Sequence, residues 1–434
     1  MKKSFFYLTT LSNWMIGYDR YSRGYSKTNI KKSTYPNEFY VLKEDEIYIG
    51  LEKAKRLLAK TSIHNDAIIR IETFLNPETV AKNVKSGKGW VIQQNFIPVI
   101  GCAIFLNDLW FDVTVEDLTA RAFLLNSQAL KNYSDLVPRT LSILPIALAC
   151  QARCWFCFSE TSISKEKEKF RMDTKNLAKV CIQAKKAGAE RFVITGGGEP
   201  GLLKFDNLTS VIKTAKRHFY KTILITNGMF ISKENKTVAT QKIQELIDSG
   251  LSVLCISKHS ENPETNKQIM GADTNTDFVL ETILTENLNI KKRLICVLQK
   301  MGVHDSNSIA AYLSYATKYG VEQVCFKELY VASTLESLYS KSKENKYSET
   351  QQVSLSVVME FLNEQGFQET SKLPWGSPVF KGFWNGKRIE IAAYTEPSVG
   401  WERLNGIARS WNLMADGRCY ASLEDLNSLI EEKV

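Results

Sequence analysis

Between residues 142 and 331 the chain alternates short apolar runs with longer amphipathic ones, and this alternation limits the fold more than any other feature. The apolar runs Ser142 to Ala149, Arg191 to Thr195, Lys221 to Thr226, Ser252 to Ser257, Arg293 to Gln299 and Glu322 to Leu329 are each short enough for strands. Between them, Thr174 to Ala187, Asn207 to Phe219, Thr240 to Ser249, Asp277 to Asn289 and Ser306 to Tyr319 carry helical periodicity. Repeated strand–helix units predict an α/β fold, a parallel sheet with helices on its outside. In such a sheet the site forms at the C-terminal ends of the strands.

The first apolar run leads into Cys150, Cys154 and Cys157, spaced C-x3-C-x2-C. A loop leaving a buried strand can curl three thiolates around one face of an iron–sulfur cube. With no fourth cysteine nearby, one iron of a 4Fe-4S cluster then keeps no protein ligand. Zinc is the competing occupant, but structural zinc needs four ligands and usually takes them as separated pairs. Three ordinary buried cysteines are the bland alternative.

Chemistry-bearing residues recur at the ends of the following strands. After the second comes Gly196-Gly197-Gly198-Glu199-Pro200, where glycines free the backbone to approach a ligand or simply make a tight turn. The third ends in Thr226-Asn227-Gly228, the fourth in Ser257-Lys258-His259 and the fifth near Gln299. A polar residue at one strand end is usually a cap, so the weight lies in the recurrence. His259 is a candidate general acid, base or substrate ligand, or a hydrogen-bonded structural histidine.

Together the cysteine spacing, the GGEP portion about forty residues after Cys157 and the TNG turn resemble the radical S-adenosylmethionine (SAM) superfamily. The resemblance covers roughly residues 142 to 331. It implies a partial (β/α)6 radical SAM barrel with a 4Fe-4S cluster held by Cys150, Cys154 and Cys157. It also implies that the open iron chelates SAM and that one electron releases a 5′-deoxyadenosyl radical, which abstracts a hydrogen from the substrate. By the same resemblance Phe156 lies against the adenine, Gly197, Gly198 and Glu199 hold the methionyl amino group, Thr226 and Asn227 belong to the SAM pocket, Ser257 meets the ribose and Gln299 the nucleoside. The implied cofactors are the cluster and SAM, with a reducing partner such as flavodoxin or ferredoxin.

At 434 residues, with 44% hydrophobic and 24% charged, the chain is expected to form two or three domains. Expected boundaries are a basic aromatic arm over 1–35, an N-terminal α+β domain over 36–135, the barrel over 140–331 and a C-terminal α+β extension over 332–434. The net charge of +9 is local: residues 1–32 hold seven basic residues against Asp19. With its interleaved aromatics this arm could bind nucleic acid, an acidic peptide, or only dock on its neighbour, and docking is the preferred reading. Nucleic acid is therefore disfavoured as a partner. The scattered cysteines do not suggest a disulfide framework, and no signal peptide or membrane-length stretch stands out, so a reducing cytoplasm is the expected location.

Within 36–135 the pattern suggests extended segments over Phe39 to Ile49, a helix over Leu51 to Lys60, a strand over Ala67 to Phe74, a short helix after Pro77 and strand character from Trp90 to Phe105. A winged-helix-like module is one reading, and by resemblance several peptide-modifying radical SAM enzymes use one to bind a leader peptide as an added strand. The C-terminal section reads as a helix over Thr350 to Gln365, two strands turning at Asn385-Gly386, and a stretch from Gly406 to Gly417 that is either a substrate lid or a final strand and turn sealing the barrel. Only Cys419 lies beyond Cys325, so no second cluster is expected there. The expected activity is that of a radical SAM enzyme acting on a ribosomally made precursor peptide as maturase or epimerase, with Cys325 or Cys419 returning a hydrogen atom in the latter case. A nucleoside, sugar or small metabolite is the alternative substrate, and a nucleic-acid-binding protein with a structural or redox-sensing cluster the alternative of another class.

Overall fold

The computed structural model describes residues 131–163, 174–331, 338–339, 342–397, 402–403 and 405–430, together with the backbone of five strands nearer the N-terminus. The chain divides into two compact units, one formed by Met1–Asp135, Ala332–Ser340 and Pro397–Ile407, the other by Leu136–Val331, Lys341–Glu396 and Ala408–Val434.

In the first unit the strands are β1 (Ser4–Leu8), β2 (Phe39–Lys43), β3 (Ile68–Thr73), β4 (Gly101–Leu106) and β5 (Leu109–Val113). They form an antiparallel sheet in the order β2-β1-β3-β4-β5, with β2 and β5 outermost among the described residues. Ser4–Leu8 belongs to the expected arm by number, yet it pairs with β2 on one side and β3 on the other. The rest of the arm, and the helices expected over Leu51 to Lys60 and after Pro77, lie outside the described residues.

The second unit is built on a sheet that contains the six expected strands side by side and parallel: β6 (Thr140–Ile143), β7 (Arg191–Ile194), β8 (Lys221–Thr226), β9 (Val253–Ser257), β10 (Lys291–Leu298) and β11 (Gln323–Glu328). Between them run α1 (Thr174–Ala187), α2 (Phe205–Lys216), α3 (Lys236–Asp248), α4 (Pro263–Met270), α5 (Thr276–Thr285) and α6 (Ser306–Lys318). Local chemistry sets several of these starts. Asp305 and Ser308 form a reciprocal capping box at α6, and the Asn262 side chain caps α4 ahead of Pro263. Each strand turns one face to the helices: Phe192, Leu224, Leu294, Val324 and Phe326 are buried there among Leu208, Ile243, Leu280, Ile309 and Tyr312. Burial of each such side chain stabilises the layer by about 1.5–3 kcal/mol.

The C-terminal section adds α7 (Lys343–Gln351), α8 (Ser356–Glu364), β12 (Gln368–Lys372), β13 (Pro378–Trp384), β14 (Lys387–Tyr394), β15 (Trp411–Leu413) and β16 (Cys419–Tyr420). The full order is β12-β13-β14-β11-β10-β9-β8-β7-β6-β15-β16. Strand β14 runs parallel to β11, and β15 runs parallel to β6, so the last part of the chain lines both sides of the six-stranded core. No ladder joins the two ends of this sheet among the described residues, which makes it an open, partial barrel of the α/β class.

Two boundaries differ from the sequence reading. The first strand ends at Ile143 rather than Ala149, because Pro145 has no amide to donate and the apolar run beyond it becomes a loop. The single C-terminal helix is two, broken where Gln352 is extended (φ −57°, ψ 137°). The stretch after Gly406 supplies a strand, β15, and a turn to β16. At Asn385-Gly386 both residues are left-handed (φ 48° and 74°), the geometry of a tight hairpin turn between β13 and β14.

Candidate cofactor site at the strand ends

The loop that carries the three cysteines is fixed from both sides. Its apolar residues Cys150, Cys154 and Phe156 pack against Ala152, Ile269 and Met270, the last two from α4. The Arg153 amide donates to the Met270 carbonyl at 2.7 Å, and the Arg153 guanidinium closes the loop on Cys150 O at 2.6 Å. Helix α4 can end there because Gly271 is left-handed (φ 61°); a Cβ on it would lie 3.0 Å from Arg153 Cβ. Trp155, 59% exposed, donates from its indole to Gln268 O at 3.0 Å. Its ring stacks on Tyr347 of α7 with centroids 6.2 Å apart.

The glycine loop after β7 lies under the start of the cysteine loop. Gly198 N donates to Ile146 O at 2.8 Å, and Glu199 N donates to Ala149 O at 2.8 Å, one residue before Cys150. A Cβ on Gly198 would collide with the Ala149 carbonyl, so only glycine permits this approach.

Glu199 ties the glycine loop to the end of β8. Its carboxylate, 4% exposed as a residue, accepts from Gly201 N (2.8 Å), Thr226 Oγ1 (2.5 Å) and Asn227 N (2.9 Å). Burial pushes its pKa up, against these three hydrogen bonds, which favour the ionised form. Asn227 then reaches the cysteine loop: its Nδ2 lies 3.3 Å from Gln151 Oε1 and 3.8 Å from Cys150 Sγ. Cys150, Cys154, Glu199, Thr226 and Asn227 thus form one hydrogen-bonded and packed group, in which Thr226 and Asn227 hold the loops as well as lining them.

The remaining expected residues divide. Phe156 meets the His259 ring edge-on with centroids 4.9 Å apart. His259 is buried, and its Nδ1 accepts from Val297 N at 3.1 Å, which leaves any ring proton on Nε2. Burial, with Lys327 and Lys258 nearby, lowers its pKa to about 3, so it stays neutral and fits the structural alternative rather than a titrating acid or base. Gln299, expected at the nucleoside, gives its amide to protein at both ends: Oε1 accepts from Tyr347 Oη at 2.6 Å, and Nε2 donates to Val297 O at 3.3 Å.

Ser257 ends β9 and is level with Ile295, which is level with Cys325 on β11. Cys325 therefore shares the inward face with Ser257, and burial holds its thiol protonated. Cys419 lies on β16, opposite Leu413 and two strands beyond β6, with its pKa pushed by burial to about 12. Among the described residues no hydrogen bond links Cys419 to the cysteine loop, and Cys325 lies midway along β11, near Arg293, Glu390 and Lys221.

Sequence reasoning missed Trp155, Tyr347, Lys327 and Glu396, and met Arg409 only as part of the stretch from Gly406 to Gly417; the last three form a triad. Glu396 bonds both cations. Burial alone would raise its pKa, but Arg409 and Lys327 bring it down to about 2. The sequence signal for the triad is weak, because its members come from three separate strand ends.

Three cysteine sulfurs on one loop are a donor set that suits an iron–sulfur cube. Among the described residues no three ligands converge on one point as a lone metal requires. Burial raises the pKa of both Cys150 and Cys154; Glu199 and Cys157 add to it at each, and Cys150 adds to it at Cys154. In a cube each thiolate binds a different iron.

Residues 144–307 match the family described as the Radical SAM superfamily. The GTP 3′,8-cyclase of Aquifex aeolicus (strain VF5) is 29% identical over 171 residues, 38% of this chain and 50% of the relative, so the match spans half the length of that protein. Among solved structures, Streptococcus suis SuiB bound to S-adenosylmethionine aligns over 88% of this chain and 71% of its own, with 13% identity and a TM-score of 0.44. Coproporphyrinogen III oxidase (HemN) from Escherichia coli aligns over 57% and 56%, with 15% identity and a TM-score of 0.35. Radical SAM proteins use a 4Fe-4S cluster and SAM. The cysteine loop, the glycine loop and the TNG turn are thus assembled at the C-terminal strand ends inside residues 144–307, the stretch that matches the Radical SAM superfamily.

Proposed function

We propose that the chain is a radical SAM enzyme in which Cys150, Cys154 and Cys157 hold a 4Fe-4S cluster and the strand ends hold SAM. The observation that carries this reading is Asn227, whose side chain reaches Cys150 Sγ while its backbone amide bonds Glu199 of GGEP. When bound, the cluster supplies the electron that cleaves SAM to a 5′-deoxyadenosyl radical. The chain's own residues place the reactants: the backbone of Gly197 and Gly198 faces the methionine end, Phe156 backed by His259 offers a flat apolar surface for adenine, and Ser257 a hydroxyl for the ribose. Glu199 and Thr226 hold the two loops at a fixed separation. A one-electron donor such as flavodoxin or ferredoxin supplies the reductant, and the expected compartment is the cytoplasm.

For the substrate, a ribosomally made peptide is the reading that uses the N-terminal sheet. Among the described residues strands β2 and β5 each have one neighbour in that sheet, and an extended leader segment adds to such an edge through main-chain hydrogen bonds. If the product is an epimer, Cys325 is the thiol assigned to return a hydrogen atom, because it faces inward at the level of Ser257. A nucleotide is the second reading, favoured by the likeness to a GTP 3′,8-cyclase.

Anaerobic reconstitution should give about four irons and four sulfides per chain, and the Cys150, Cys154, Cys157 to Ala triple variant should give none. With dithionite, wild type should release 5′-deoxyadenosine from SAM. Retention of a full cluster by the triple variant, or a reduced cluster whose EPR signal SAM leaves unchanged, would sink the proposal. Deuterium exchange with candidate peptides separates the substrate readings: protection of β2 or β5 supports the peptide, and its absence alongside GTP-dependent protection of the strand ends supports the nucleotide.

A further inference from the structure

The barrel interior is apolar midway along the strands and cationic at their N-terminal ends. Val193, Ile223, Ile225, Val253, Cys255 and Ile295 pack together on the inward face. Alternation along each strand puts Arg191 on the same face as Val193, Lys221 on that of Ile223, and Lys291 and Arg293 on that of Ile295. Arg191 pairs with Lys221, Lys291 is level with Val253 and Arg293 with Cys255, and the charges of Arg293, Arg191 and Lys291 all act on Lys221.

These four cations have almost no counter-charge. Neither Arg191, Lys221 nor Lys291 makes a side-chain hydrogen bond or ion pair among the described residues. Arg293 donates from Nε and Nη2 to a neutral acceptor, Gln323 Oε1, at 3.0 and 2.6 Å. The carboxylate on this face, Glu390, is held by Gln323 Nε2 at 2.7 Å and by Lys381 Nζ at 3.4 Å. Such crowding is unfavourable unless something offsets it. Burial, then Arg293, Arg191 and Lys291, lower the Lys221 pKa to about 8 against the pull of Glu390.

We propose that the N-terminal mouth of the barrel, at the end opposite the cysteine loop, is a binding site for a doubly charged oxyanion of the phosphate type, held by Arg191, Lys221 and Arg293 with Lys291 at its rim. Two guanidiniums and one ammonium match the terminal oxygens of a tetrahedral phosphate group, which a single carboxylate would not fill. The site does not depend on the radical chemistry, so it stands or falls separately.

The test is calorimetric titration of the full chain with sulfate, inorganic phosphate and O-phosphoserine, each against chloride at equal ionic strength. Sulfate should bind, and the Arg191→Met, Lys221→Met double variant should bind it at least tenfold more weakly. Tighter binding of phosphoserine than of phosphate assigns the site to a phosphate ester, and the reverse order to the free oxyanion. Sulfate does not titrate near neutrality, so its affinity should be level below pH 8 and fall above it as Lys221 loses its proton. The groups facing Lys221 are Arg191 on β7, Lys291 and Arg293 on β10, the buried thiol of Cys325 on β11, held protonated, and Glu390 on β14, with Lys381 on β13 beyond it; β9 offers only Val253 and the protonated thiol of Cys255. Lys221→Arg, which keeps the charge at every pH, should bind sulfate and lose that fall, and it serves if the double variant does not fold. Heats equal to those of chloride, unchanged affinity in the double variant, or a fall above pH 8 that persists in Lys221→Arg would overturn the site.

Discussion

The side-chain amide of Asn227 stands 3.8 Å from Cys150 Sγ while its backbone N–H donates to Glu199 at 2.9 Å, so one residue joins the cysteine loop to the glycine loop. Groups that orient a metal ligand from behind affect affinity by about 10–100-fold. Asn227→Ala should therefore hold its cluster about 10–100-fold more weakly and bind less SAM. Iron assay and SAM titration of the reduced protein separate the two effects.

Gly198 makes a sharper prediction. A Cβ there would meet the Ala149 carbonyl, Ala149 N at 2.9 Å and Ile146 Cγ2 at 2.8 Å, and two of these contacts are backbone that cannot swing aside. Gly198→Ala should push the glycine loop off the cysteine loop, abolish release of 5′-deoxyadenosine and lower stability by about 1–3 kcal/mol. Denaturant unfolding and product assay check both. The larger Gly198→Val should do no better.

His259 links stability to acid. Its folded pKa of about 3 lies below the ordinary 6.5, so the unfolded chain takes up a proton that the native one refuses. The contribution is complete above pH 6.5 and is lost as pH falls from there toward 3, at up to about 1.4 kcal/mol per pH unit. His259→Asn retains an acceptor for Val297 N without the titration. In a comparison of melting temperatures against pH, wild type should begin to fall near pH 6.5, and the variant should lack that component.

Glu396 lies between Lys327 and Arg409. Removing its charge leaves two inward cations facing each other, and breaking a mostly buried ion pair costs about 3 kcal/mol, less where water reaches it. Glu396→Gln should lower stability by about 2 kcal/mol at pH 7. The double variant Glu396→Gln, Lys327→Met should recover part of that loss in urea unfolding.

Much of this was legible in the sequence because its signals are local. Helix α1 and strand β8 have the bounds that periodicity assigns them, and the hairpin turns at Asn385-Gly386, where two residues must be left-handed. Local signals also mislead locally: the run Leu144 to Ala149 is as apolar as a strand, but its carbonyls serve the glycine loop instead. Helix α4, eight residues long, is too short for its period to stand out, although it carries the floor of the cysteine loop. Gln299 shows the harder limit. Its amide is taken by Tyr347, 48 residues away on a polar helix with no motif, and only the folded chain makes that pairing visible.

Strands β14 and β15 lie on opposite sides of the six-stranded core, and both come from the last fifty residues of the sequence. During synthesis, then, β6 and β11 emerge long before their outer neighbours and wait with unpaired amides and carbonyls on two open flanks. Such edges invite pairing with other chains. A nascent or prematurely ended polypeptide is accordingly the form of this protein most in need of a chaperone, and its aggregation should depend on where translation stops relative to residue 411.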